Sequence, residues 1–282
     1  MLRLKKQVGA AINRTALFIR KPSADKRVNP SFIIIGAQRS GTTYFYDRLT
    51  THPQIGRSLQ KEVHFFDYQF QKGVDWYRAH FPVKDENTNL ISGEGSPYYL
   101  YHPLSAQRVR DMFPEVKVIS LLRNPVSRAY SHHQLQLKRN LETLPFEEAL
   151  EAEEQRLEGE EERLIADENY YSFEHHHRSY LTRGCYAQQL KRWTELFPQE
   201  QLLTIKSEDF YASPETELNK TVQFLELSGV VPENGKEKVR LKKQSYPKMD
   251  PETQKRLTEY YRPFNQELHD LVGIDWEEKA AA

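Results

Sequence analysis

The stretch that most constrains how this chain can fold is "FIIIGAQRSGTTYFYDRL", Phe32 to Leu49. Its apolar, β-prone opening reads as a strand covered on both faces. A short polar loop bracketed by Gly36 and Gly41 follows, and a helical pattern runs on from Thr43 to His52. Gly36 permits a sharp exit from the strand, and Gly41 lets backbone N–H groups approach a ligand with no Cβ in the way. Thr42 and Thr43 add hydroxyl donors where the helix N-terminus contributes its partial positive charge. Strand, loop and helix together make a cradle for an oxyanion.

The same alternation recurs along the chain. Apolar β-type runs stand at 32–37, 89–95 ("NLISGEG"), 116–123 ("VKVISLLR") and 201–210 ("QLLTIKSEDF"). Helical patterns separate them, from Thr43 to His52, Pro103 to Phe113, Val126 to Lys138 and Ala187 to Phe197. Such alternation implies an α/β fold with a central parallel sheet flanked by helices on both faces. The expected organisation is one domain over 31–276, a basic lead-in helix over 1–30 and a disordered tail over 277–282. The acidic stretch "PFEEALEAEEQRLEGEEERLIADENYY" reads as a charged, solvated helix pair, with a cleft wall as the alternative. Between Asp250 and Gly273, Leu and Tyr recur at helical spacing with a cap at each end.

Charge and composition narrow the function. Lys plus Arg and Asp plus Glu number 40 each, so no net charge argues for nucleic acid and any anion site is local. The lone Cys185 excludes an intramolecular disulfide and a cysteine-rich zinc site. A reducing, cytoplasmic setting is the simplest expectation, with a lumenal catalytic domain as the alternative. The longest uncharged run of the basic N-terminal segment is too short to span a bilayer.

The cradle departs from a nucleoside-triphosphate loop. A G-x-x-x-x-G-K-[ST] pattern needs lysine after its last glycine, where this chain has Thr42, and the cation instead is Arg39, inside the loop. A second strand, "VKVISLLRNPVSRAYS", ends in Arg123 rather than a magnesium-binding aspartate. Asn124 and Pro125 turn the chain into a helix, so Arg123 and Ser131 can clasp one phosphate at the sheet's C-terminal edge. Two anion sites without a metal-binding strand end imply a ligand with two separated anionic ends.

These residues resemble the sulfotransferases that use 3'-phosphoadenosine-5'-phosphosulfate (PAPS), over almost the whole chain from about Ser31 to Trp276. "GAQRSGTT" looks like their 5'-phosphosulfate loop and "RNPVSRAYS" is similar to their 3'-phosphate motif. "KEVHFFD" and "RGCYAQQLKRW" add specificity, with a flavour closest to the heparan sulfate glucosaminyl 3-O- and N-sulfotransferases. The resemblance implies the P-loop-like sulfotransferase fold, PAPS as sulfate donor and no metal. It assigns Arg39, Ser40, Gly41, Thr42 and Thr43 to the phosphosulfate, Arg123 and Ser131 to the 3'-phosphate, and Tyr186 to the nucleotide. The late basic loop "KKQSYPKMD" assigns Lys242, Lys243, Gln244, Ser245 and Tyr246 to closure over the donor, although Lys243 and Gln244 replace the family's glycine and arginine.

Sulfuryl transfer needs a base for the acceptor proton and positive charge at the sulfonate. On an extended segment Glu62 and His64 point to one side. The resemblance makes Glu62 the base, with His64 and Asp67 in support. Where 3-O-sulfotransferases carry E-K-T-P, this chain has "GEGSP", so the lysine that assists at the sulfonate is Gly95; Arg39 and Lys61 are the candidate replacements. Lys61, Glu94, Ser96, Tyr98 and Tyr99 are expected to shape the acceptor side, for which a glycan is the favoured occupant. The run His175, His176, His177 cannot direct three rings at one ion from a regular element, so a role beside the acceptor is the better reading. The competing functions are an unusual kinase and an inactive nucleotide-binding scaffold. Glu62 argues against the scaffold, Thr42 and Arg123 against the kinase.

Overall fold

The computed structural model describes residues 13–85, 87–232 and 246–276. The expected tail, the start of the lead-in (1–12) and Lys242, Lys243, Gln244 and Ser245 lie outside the described residues. The strands are β1 (Phe32–Gly36), β2 (Ile55–Arg57), β3 (Ile91–Gly95), β4 (Lys117–Leu122) and β5 (Leu202–Lys206). They form one parallel sheet in the order β2-β3-β1-β4-β5. The helices that matter here are α1 (Thr42–Leu49), α2 (Ser105–Met112), α3 (Pro125–Arg139), α4 (Phe173–His177), α5 (Tyr186–Thr194), α6 (Pro214–Phe224) and α7 (Pro251–Val272).

Alternate residues of β1 build the two faces of the core. Phe32 and Ile34 pack with Phe45 and Leu49 of α1 and Leu218 and Val222 of α6. Ile33 and Ile35 pack on the other face with Phe65, Tyr99, Leu190 and Trp193. All four β1 side chains are fully buried. At about 1.5–3 kcal/mol for each large apolar side chain removed from water, this central strand is firmly held in the sheet. The loop that leaves it therefore starts from a rigid base.

Two local expectations need correction. The run at 201–210 is strand only to Lys206; Ser207–Ala212 is helical, because Ser207, Glu208 and Asp209 bring a polar, acidic first turn to the sheet edge. The edge strand β2 was not expected, because its three residues, Ile55, Gly56 and Arg57, carry too little pattern to read. By contrast α7 has the expected ends: the Asp250 side chain accepts from Thr253 N–H at 2.8 Å, and Gly273 closes it at φ 72°.

The acidic stretch is also more than a solvated face. It forms three short helices, Phe146–Glu151, Glu153–Leu157 and Glu160–Ala166, and turns Glu153 and Glu160 inward together with Glu142 just before them. Glu153 accepts from the backbone N–H groups of Tyr180, Leu181 and Thr182 at 2.6, 2.6 and 2.9 Å. Glu142 accepts from Arg156 at 2.7 Å and from the Tyr180 hydroxyl at 2.9 Å. Burial opposes its charge, but these and two backbone donors hold its carboxyl down at about 2. Glu160 accepts from the Tyr170 and Ser172 hydroxyls. Acids that read as surface charge thus fasten the segment from Tyr170 to Thr182.

The described part of the lead-in is helical over 13–20 and continues as a 3-10 helix, Lys21–Lys26. Arg20 and Arg27 tie it to the domain, both donating to the Phe81 carbonyl, at 2.5 and 2.8 Å. No helix among the described residues is long and apolar enough to cross a membrane.

Candidate active site

The cradle lies where β1 ends. Gly41 is left-handed at φ 90°, and a Cβ there would overlap the Tyr211 hydroxyl, so only glycine fits. α1 begins at the next residue and aims its first N–H groups into the loop. Three tethers fix the loop from outside. Ser207 Oγ donates to the Ser40 carbonyl at 2.8 Å, Arg183 donates to Gln38 Oε1 at 2.8 Å, and Arg123 donates to the Arg39 carbonyl at 3.3 Å. Arg39 Nε in turn donates to Ser131 Oγ at 3.0 Å. Arg39, Arg123 and Ser131 therefore converge, although 92 residues separate the first from the last.

No carboxylate answers these arginines. Among the described residues neither Arg39 nor Arg123 has an acid within ion-pairing distance, and both are half-buried. Burial lowers the Arg39 pKa from its usual value; the Tyr246 and Tyr211 hydroxyls offset part of this, whereas Arg123 and Arg139 add to it. Ser40 Oγ is buried and has no hydrogen-bond partner among the described residues. Uncompensated guanidinium groups and an orphaned hydroxyl around a helix N-terminus are what an anion site requires. Tyr186 reaches the same corner, donating to the Arg123 carbonyl at 2.8 Å. Tyr246 packs edge-on against Tyr130, within the electrostatic reach of Arg39. Arg128 is fully buried and donates to the Tyr180 carbonyl.

Glu62, His64 and Asp67 form a chain beside the cradle. Their segment is irregular rather than a strand, with His64 at φ 57°. The strand-like side-sharing expected of Glu62 and His64 is thus replaced by a held turn. Ser96 Oγ accepts the His64 N–H at 2.9 Å and donates to Glu94 at 2.8 Å, and the Tyr99 hydroxyl accepts the Phe65 N–H at 2.7 Å. In that turn His64 Nε2 lies 3.2 Å from Glu62 Oε2 and Nδ1 lies 2.6 Å from Asp67 Oδ2.

The charges follow from this geometry. Burial works against the His64 imidazolium, but Asp67 and then Glu62 outweigh it and raise its pKa to about 10. At neutral pH His64 is a cation clamped between two carboxylates. Burial likewise opposes the Glu62 carboxylate, yet the His64 hydrogen bond and the Lys61 charge hold its pKa below the usual value. Glu62 keeps 40% of its side chain exposed, whereas the Asp67 side chain has no exposure. Only the first is open to the cleft.

Glu94, Ser96, Tyr98 and Tyr99 lie behind this turn, all buried. Their contacts are with the segment carrying His64 and with α4, not with the open face. Burial raises the Glu94 pKa to about 7, against hydrogen bonds from Tyr99 and Ser96. The surface actually open beside Glu62 was missed in the sequence. It is a strip of rings, with Tyr68 stacked on His64 at 4.7 Å, Tyr171 at 5.5 Å from Tyr68, and Phe173 at 4.8 Å from His177. Tyr171 is 42% exposed and Phe173 36%.

The histidine run sorts itself by depth. His175 is buried, stacked on Tyr101 and bonded to the Tyr98 hydroxyl at 2.7 Å; His176 stacks on Tyr98 at 4.2 Å and lies against His177. Burial first, then Arg183, pushes the His177 pKa down to about 4, so the strip is uncharged there at neutral pH. Among the described residues no group of His, Cys, Asp and Glu is arranged to hold a metal ion. Arg183, also missed, links the two sides of the cleft. Besides Gln38 it donates to the His175 and His176 carbonyls at 2.8 and 3.0 Å.

Comparison with known proteins agrees with the fold. The model of the sulfotransferase domain matches residues 29–249. The chain belongs to the sulfotransferase family. The crystal structure of a sulfotransferase from Alicyclobacillus acidocaldarius superposes with a TM-score of 0.66 at 30% identity, covering 88% of this chain and 98% of that one. Among curated relatives, the membrane-associated sulfotransferase kil1 of Dictyostelium discoideum is 30% identical over 88% of this chain. The human heparan sulfate glucosamine 3-O-sulfotransferase 3B1 is 28% identical over 88% of this chain, and the human bifunctional heparan sulfate N-deacetylase/N-sulfotransferase 3 is 30% identical over 86%. The chain spans 66%, 64% and 30% of the length of those three relatives.

Proposed function

We propose that this protein is a PAPS-dependent sulfotransferase that delivers a sulfuryl group to a hydroxyl or amine of a carbohydrate. The observation that carries this reading is the convergence of Arg39, Arg123 and Ser131 at the cradle with no acid, among the described residues, within ion-pairing distance of either arginine. That charge suits a donor with anionic groups at both ends. PAPS supplies the activated sulfonate and departs as 3'-phosphoadenosine-5'-phosphate (PAP).

In this reading Ser40, Gly41, Thr42 and Thr43 hold the 5'-phosphosulfate, while Arg123 and Ser131 hold the 3'-phosphate. Tyr186 supports Arg123 through its carbonyl, and the segment from Lys242 to Tyr246 closes over the donor. Glu62 accepts the proton of the attacking hydroxyl or amine as that atom bonds to sulfur and the electron pair of the broken S–O bond leaves with the phosphate. His64 and Asp67 keep the Glu62 carboxylate oriented and ionised. A carbohydrate acceptor is supported by the strip of Tyr68, His177, Tyr171 and Phe173, which offers ring surface and hydroxyls beside the base, with the Arg178 guanidinium over the Phe173 ring.

Transfer of labelled sulfate from PAPS to a panel of glycans, phenols, lipids and amines tests the assignment. Labelled glycan is the expected product. Labelling confined to phenols or lipids would contradict the carbohydrate reading, and no PAPS-dependent labelling at all would contradict the activity.

A further inference from the structure

Gly95 ends β3 opposite the cradle. A Cβ built there would stand 3.2 Å from Ile34 Cβ and 3.3 Å from Lys61 Cε, tighter than ordinary contact on both sides. The stem of Lys61 thus fills the volume that a side chain at position 95 would need. That stem is nearly covered, with 9% of the side chain exposed, and it carries the ammonium to 3.4 Å from Thr43 Oγ1 and 3.8 Å from Glu62 Oε1. Both distances exceed the roughly 2.7–2.9 Å of a charge-assisted hydrogen bond. An ammonium on a covered stem is therefore held between the base and the first turn of α1 by two long contacts only, among the described residues. Burial lowers its pKa, whereas Glu62, Glu94 and Asp47 favour the charged form.

We propose that Lys61 is the catalytic cation of the transfer step, contacting the sulfonate oxygens as the group passes between the cradle and the acceptor bound at Glu62, and that residue 95 is glycine to admit its stem. The inference rests on the sulfotransferase reading. Any group passed between Thr43 and Glu62 crosses the space beside the Lys61 ammonium. In that space a fixed positive charge acts on charge that develops during transfer, which is where such a charge accelerates a reaction most.

The test needs no known acceptor, because slow turnover of PAPS to PAP with water as acceptor can be followed directly, alongside titration with PAP. Lys61→Ala is expected to lower PAPS turnover about 100-fold or more while changing the PAP dissociation constant less than about threefold. Lys61→Arg should retain part of the rate. In the Lys61→Ala background, Gly95→Lys has room and should restore turnover at least about tenfold, whereas Gly95→Lys alone, competing for occupied volume, should impair the enzyme. A Lys61→Ala variant with wild-type turnover overturns the proposal, as does one whose loss of PAP affinity matches its loss of rate. A wild-type protein that neither binds PAP nor consumes PAPS overturns the sulfotransferase reading itself, and Lys61's role with it.

Discussion

The two walls of the cleft are built by opposite means. The donor wall is regular: a buried strand, a glycine loop and a helix present backbone N–H groups and arginines. The acceptor wall is irregular: a held turn and a short helix present rings, one exposed carboxylate and buried acids that act as fasteners. On the first wall Arg39 and Arg123 have no acid within ion-pairing distance among the described residues, and in the proposed function that charge supplies the affinity. On the second, charges are paired internally, as in the chain from Glu62 through His64 to Asp67, and the rings beside them are uncharged. Donor binding and proton removal should therefore separate under mutation.

The largest expected effect is on the acceptor wall. Glu62→Gln should reduce kcat by about 10²–10⁴-fold, the usual worth of a general base, while PAP binds as before. A parallel fall in PAP affinity would merge the two walls and break the comparison. Next comes Arg183, which touches both. Arg183→Ala removes the donor to Gln38 and to two buried carbonyls, so a loss of about 3 kcal/mol in urea unfolding is expected. Donor and acceptor KM values should rise together; a rise in only one would show that Arg183 serves a single wall.

On the donor wall, Arg123→Ala should weaken PAP by about ten- to a hundredfold, corresponding to about 1.5–3 kcal/mol for hydrogen bonds to a charged group. Its kcat at saturating donor should change less than that of Glu62→Gln. Glu153→Gln should cost about 1–2 kcal/mol of stability by weakening the three backbone bonds that seat the start of the Tyr180–Thr182 turn. Acceptor KM should rise and PAP affinity stay unchanged.

The last prediction concerns pH. Burial raises Glu94 from 4.5 to about 7, so the fold favours its protonated form. That contribution to stability is complete below pH 4.5 and is lost as pH rises through about 7. Glu94→Gln should leave stability near pH 5 almost unchanged and flatten its decline towards pH 7 in urea titrations. His64 runs the same way over a higher window: its contribution is complete below 6.5 and lost as pH rises through about 10.

The same division explains what the sequence could tell. The donor wall was legible because backbone geometry has a local signature: Gly36, Gly41 and the threonines sit together, and Arg123 follows its own strand. The α7 caps and four of the five strands read for the same reason. The acceptor wall depends on partners distant in sequence. Nothing beside Glu153 forecasts that it will bind the N–H groups of residues 180–182, and nothing beside Arg183 points to Gln38, 145 residues away. Glu62 and His64 were found through a resemblance. Their spacing suggested a strand, whereas a turn held by Ser96 brings them together. Lys61 shows the limit most clearly, since its meaning depends on an absent side chain across the cleft.

The most direct test of the account is titration of PAP, in the presence of a metal chelator, into wild-type protein and into Glu62→Gln. Tight binding without magnesium, equal in both proteins, is the predicted result. A preference for ATP with magnesium, or loss of PAP binding in Glu62→Gln, would contradict it.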